Sequence, residues 1–190
     1  TGIGCVARDS VQMTGEDVVC LSDSGVRSIS RTIQEKSAPM RTLSRNINDD
    51  IRGHIGSVAA VDAKSVYSPS DAFYLLTFRI TGITYCFDMR APLQDGSARA
   101  TMWYGIASKS YLYTKGRDLL IGTAGYVGKY DGYSDGGSSY RMSYFTTWLD
   151  FGTPYKNSIL KKIRAVVSGA QNQSVIFKWG FDYVPFFGSD

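Results

Sequence analysis

Residues 72–88 read AFYLLTFRITGITYCFD. Tyr74, Leu76 and Phe78 alternate with Phe73, Leu75 and Thr77, so the period is two and both sides are largely apolar. This is the pattern of a strand covered on both faces inside a layered structure. A turn at 80–82 follows, and ITYCFD returns as a second apolar strand. Strand, glycine turn, strand specifies an antiparallel hairpin.

The same plan recurs on either side. DVVCLSDSGVRSI and DLLIGTAGYVGKYDG each hold an apolar strand, a turn carrying glycine and a shorter apolar strand. The turn glycines Gly25, Gly82 and Gly125 stand 57 and 43 residues apart. A β-propeller blade repeats at about 40–50 residues, so the reading is mostly β, antiparallel, with propeller-like blades. A sandwich or barrel spaces its hairpins similarly and stays open as an alternative.

One stretch changes period. In SAPMRTLSRNINDDIRGHI, residues 37–55, Met40, Leu43, Ile47, Ile51 and Ile55 recur every three or four positions. That predicts one inserted amphipathic helix near 39–52, with Ser37 as cap and Pro39 in its first turn. Its apolar face, Leu43, Ile47 and Ile51, must be buried, either at an interface or as the cap of a blade. The organisation expected is a first blade hairpin at 1–36 and the inserted helix at 37–56. Blade-like hairpins follow at 57–145, with closing strands of a blade or platform at 146–190.

The 190 residues carry a formal net charge of +4, which permits contact with nucleic acid without demanding it. Cys5, Cys20 and Cys86 lack metal-ligand spacing and an even disulfide framework, so they are expected to be buried, unlinked thiols of a reducing compartment. No apolar run approaches the roughly 20 residues of a membrane helix. The opening TGIGCVARDS, which starts without Met, reads as part of a longer polypeptide.

Motifs for chemistry are sparse. His54, the single histidine, has no second histidine to share a metal, and no G-x-S-x-G supplies a nucleophile elbow. GIGCVA and GTAGYVG lack the helix and lysine of a phosphate loop. DGYSDGG at 131–137 has two acids, and Met142 stands where a calcium loop would place Glu. Asp88, Asp95, Asp131, Asp135 and Asp150 lie near strand ends, where Asp commonly bonds turn backbone. The expectation is no catalytic residue, no metal and no cofactor. A carbohydrate-active β-propeller enzyme with paired carboxylates and a non-enzymatic β-propeller interaction module are the alternatives.

The remaining candidate is basic. Between Asp150 and Asp182 the chain has Lys156, Lys161, Lys162, Arg164 and Lys178 and no carboxylate. In ILKKIRAVV, read as a strand, Lys161 falls on one face and Lys162 and Arg164 on the other. A sheet face with seam charges is therefore favoured over a single phosphate-gripping stripe. Lys156, Lys161, Lys162 and Arg164 remain the candidates for DNA or inter-subunit contact.

These elements resemble a known family. YVGKYDGYSDGGSSYRMSYFTTWLDFGTPYKNSILKKIRAV looks like a stretch from the head-to-tail connector proteins of short-tailed phages. These are called the tail nozzle, tail tubular protein B or packaged-DNA stabilisation protein. The elements carrying the likeness are Tyr130 and Asp131, the loop at 135–137, Thr146 with Trp148, the D-F-G turn at 150–152, and Lys161 with Lys162. TGEDVVCLSDSGVRSISR and YLLTFRITGITYCFDMRAP resemble the blade hairpins of that family. The resemblance implies a structural subunit of a virion tail, assembled in the host cytoplasm as a ring of identical, hexameric subunits. The implied partners are adaptor or portal-proximal tail proteins, tail fibres, spikes or needle, and passing double-stranded DNA.

Overall fold

Strand β5 (Phe73–Phe78) is buried at every one of its six positions, as its two-sided apolar pattern requires. The computed structural model describes residues 4–15, 17–29, 42–56, 62–132, 134, 137–146, 148–149, 159, 161–164, 166 and 174–181, together with the backbone of 184–189. Expectations for the cap at Ser37 and Pro39, the loop residues Asp135 and Gly136, the turn at 150–154 and Lys156 lie outside the described residues. The chain divides into two units, Thr1–Tyr130 and Asp131–Asp190.

In the first unit, β4 (Ala63–Ser68), β5, β6 (Ile83–Asp88) and β7 (Arg99–Tyr104) form an antiparallel sheet in simple chain order. Leu75 lies opposite Val66 on one side and Cys86 on the other. Tyr74, Leu76 and Phe78 enter one core with Tyr85 and Phe87. Phe73 and Leu75 enter a second core with Val66 and Leu119. The alternation of side chains along β5 thus becomes two separate packing layers.

Each layer is closed by another meander. β1 (Gln12–Thr14), β2 (Asp17–Ser22) and β3 (Gly25–Ser28) supply Val19, Leu21 and Val26 to the first core. β8 (Ser110–Tyr113), β9 (Leu119–Gly122) and β10 (Val127–Lys129) cover the second through Leu119, Tyr111 and Tyr113. The protein is mostly β, its paired strands are antiparallel, and a short α-helix spans Asn48–Ile55; among the described residues no sheet closes into a barrel. The three rhythm glycines all have left-handed backbone, with φ of +119° at Gly25, +67° at Gly82 and +101° at Gly125, which explains why glycine marks each turn.

Buried polar groups tie the layers. The Tyr74 hydroxyl donates to the Ser10 carbonyl at 2.7 Å, and Gln12 Nε2 donates to Ser65 at 3.1 Å. On the other face the Thr77 and Thr84 hydroxyls lie 2.7 Å apart, and Thr77 also bonds the Tyr111 hydroxyl. Each such bond removes the penalty of an unmet buried polar atom.

The helix differs from the sequence expectation of 39–52. A 3-10 turn at Arg45–Ile47 leads into α1 (Asn48–Ile55), so among the described residues the α-helix starts later and ends later than expected. The cause is visible in the backbone. The Leu43 N–H donates to the Val26 carbonyl and the Leu43 carbonyl accepts from Ala98, both at 2.9 Å. The Ser44 hydroxyl accepts the Val26 N–H at 2.9 Å and donates to Asn48 Oδ1 at 2.6 Å. Groups committed to other segments cannot also close i to i−4 helical bonds. Gly25 adds a constraint, because a Cβ there would overlap the Asn48 and Ser44 side chains.

The second unit also departs from expectation. Residues 140–146 and 148–149, within the stretches expected as blade hairpins and closing strands, and 161–164, read as a strand, form no strand and are exposed. An alternating pattern makes a strand only where a neighbour accepts its ladder bonds. Among the described residues the ladder of this unit is that of β11 (Lys178–Phe181) and β12 (Val184–Ser189), whose register shifts between Trp179 and Phe181.

Burial ranks the helix-face residues. Leu43 and Ile51 are fully buried and Ile47 is half-buried. Leu43→Ala and Ile51→Ala are each expected to cost about 2–4 kcal/mol, and Ile47→Ala less than about 2 kcal/mol. Denaturant unfolding of the three variants checks the order; equal losses would refute it.

Candidate functional site

The two groups of site residues named from sequence end in different surroundings. Leu43, Ile47 and Ile51 pack within the first core beside Val26 and Phe78, so this face is consumed inside the chain. Lys161, Lys162 and Arg164 lie in the second unit as exposed, non-strand residues among Ile159, Ile163 and Val166, which are exposed as well. Among the described residues none of these three cations makes an ion pair. As exposed cations outside any strand, they suit diffuse, salt-screened attraction to a polyanion better than a fixed phosphate seat.

The turn carboxylates are held by neighbours. Asp88 accepts from the Arg90 guanidinium at 2.7 and 2.9 Å and from the Arg90 N–H at 2.9 Å. These bonds, the guanidinium first, bring its carboxyl down to about 2. Asp95 accepts from the Ser97 hydroxyl at 2.6 Å and its N–H at 3.0 Å, which lowers its pKa. Asp118 pairs with Lys129 at 2.9 Å, and Asp9 pairs with Lys64 and Arg8. A general acid needs the opposite, a carboxyl raised by burial. Among the described residues no three His, Cys, Asp or Glu side chains gather as a metal cluster.

His54 projects from α1 onto the four-stranded sheet. Its ring stacks on Phe78 with centroids 4.5 Å apart and interplanar angle 18°. Its Nε2 lies 3.1 Å from the Tyr85 hydroxyl. Burial lowers the His54 pKa, partly opposed by the charge of Asp50. Burial likewise pushes Tyr85 up to about 12. The pair is therefore a neutral, half-buried contact at physiological pH, as suits a helix-end histidine in a packing role.

Two surface features were not assembled by sequence reasoning. Trp103 stacks on Tyr130 at 5.8 Å and 10°, and Phe73 meets both edge-on at 5.9 and 5.6 Å. The local signal was only Trp103 beside Tyr104 at the end of β7; Tyr130 arrives from across the chain. At the rim of the hairpin turns, Arg79, Lys109, Thr123 and Tyr126 line an open hollow of about 290 Å³. Arg79 is already paired with Asp62, which leaves Lys109 as the other cation at its rim.

Comparison with protein-family models, curated proteins and solved structures returned no match.

The sign of the His54 effect can be tested. A histidine whose folded pKa is lowered binds its proton more weakly folded than unfolded, so its contribution to stability is complete above about 6.5. That contribution falls as pH drops below this value toward the folded pKa. Denaturant midpoints measured from pH 7.5 down to 5.0 (on the order of the histidine range) should decline, and His54→Gln should flatten the decline. A steeper decline in the variant would contradict the assignment.

Proposed function

We propose that this chain is part of a structural subunit of a short-tailed phage tail nozzle. In this reading identical subunits, six to a ring, form a channel that retains and conducts double-stranded genomic DNA. Adaptor or portal-proximal tail proteins bind above, and fibres, spikes or a needle attach nearby. The chain serves as wall rather than catalyst and belongs to the virion tail after assembly in the host cytoplasm.

The observation that carries the reading is the succession of antiparallel meanders in chain order, with a central sheet buried on both faces. A four-stranded meander covered on both faces is compatible with a propeller-like blade, and together with the sequence resemblance this favours the family. The pairing of turn carboxylates with Arg, Lys and Ser supports a non-catalytic role, because those groups are engaged in fixing turns. The dispersed cations at 161–164 suit a channel in which DNA must slide, since many strong phosphate contacts would hold it.

Mass measurement of the full-length polypeptide in solution tests the proposal. A closed ring with no glycan-cleaving activity is expected, and a monomer that hydrolyses a glycan would end it. With the ring in hand, replacing Lys161 and Lys162 by Gln should lower DNA affinity by less than about tenfold at low salt, without sequence preference. Complete loss of DNA retention would make these lysines a dedicated phosphate site instead.

A further inference from the structure

Cys5, Cys20 and Cys86 are free thiols, but they are not equivalent. Cys5 is exposed and forms an isolated antiparallel bridge with Ser22. The next residue continues the contact, the Val6 N–H donating to the Leu21 carbonyl at 2.9 Å. Cys20 stands two residues before Ser22 on β2 and therefore shares the face of Ser22. Cys5 and Cys20 are thus diagonal cross-strand neighbours, and their two thiols interact directly, side chain to side chain.

Side-chain surroundings agree with that placement. The Cys5 thiol donates to the Ala7 carbonyl at 3.0 Å and lies 3.6 Å from Ser10 Oγ. The same Ser10 hydroxyl accepts the Leu21 N–H at 2.9 Å, so one oxygen touches both the Cys5 segment and β2 beside Cys20. Burial first, then the proximity of Cys5, pushes the Cys20 thiol up to about 11. Cys86 is set apart, packed against the second core on the opposite side of the four-stranded sheet from β1–β3.

We propose that Cys5 and Cys20 are an oxidant-dependent crosslinking site, Cys5 being the thiol a peroxide reaches and Cys20 the thiol that closes the bridge. The Cys5 sulfur attacks one peroxide oxygen, the O–O bond breaks, and water leaves as Cys5 becomes a sulfenic acid. The Cys20 sulfur then attacks the Cys5 sulfur. The S–S bond forms, the S–O bond breaks, and the departing hydroxide takes the Cys20 proton as a second water. Two thiols and one hydrogen peroxide give one disulfide and two waters. The raised pKa of Cys20 keeps its thiolate scarce, so the second step is slow at neutral pH and faster in mild alkali. The bridge fastens the segment before β1 to β2 and does not depend on the proposed function.

Hydrogen peroxide treatment of the whole chain, followed by intact mass and a non-reducing peptide map, tests this. The expected result is loss of two hydrogens per chain, with the peptides containing Cys5 and Cys20 joined and Cys86 still alkylatable. Cys86→Ser should leave the crosslink unchanged, and Cys5→Ser should abolish it. Cys5 is exposed, so its variant reports even if a Cys20 variant fails to fold. A gain of oxygen without loss of hydrogen, a bridge involving Cys86, or a crosslink only between chains would overturn the proposal.

Discussion

Both backbone groups of Leu43 are spent outside its own segment, one on Val26 and one on Ala98. This residue therefore joins β3 to the loop that precedes β7, while its side chain fills the core between them. A backbone bond between buried segments is costly to leave unmade. The position of α1, and through it of His54 on Phe78, follows from this one clasp. Gly25 belongs to the same constraint, since the Ser44 and Asn48 side chains occupy the space a Cβ would take.

The four-stranded sheet depends on a different balance. With β5 covered on both faces, neither side can shift without opening a core. Apolar packing is non-directional, and the polar bonds give it register. Thr77 opposite Thr84 with Tyr111 above fixes one face; Tyr74 on Ser10 and Gln12 on Ser65 fix the other. The outer meanders are thereby matched to particular positions along β5.

Much of the first unit was legible in the sequence because its signals are local. Period two over 73–78, glycine at 25, 82 and 125, and the short apolar returns locate most strands and turns of the three meanders. The start of the helix was not legible, because the Leu43 and Ser44 bonds reach segments more than fifteen residues away. Propensity at 39–47 carries no trace of them. For the second unit the sequence suggested hairpins up to 145 and closing strands from 146, yet pattern says nothing about which neighbour completes a ladder. At the candidate site the cations were readable as residues, whereas their surroundings were not. The Trp103–Tyr130 stack joins positions 27 apart in sequence, and the diagonal of Cys5 and Cys20 rests on pairing that no spacing rule encodes.

The end of the first unit has a mechanical consequence. Tyr130 is held by its N–H on the Leu119 carbonyl at 2.8 Å and by its ring on Trp103. β10 is an edge strand paired only with β9 among the described residues. Tension applied to the chain beyond Asp131 therefore meets the aromatic stack before the three-residue ladder of β10, whose bonds would otherwise unzip in turn. The stack of Trp103 on Tyr130 thus lies between β10 and the chain that follows it.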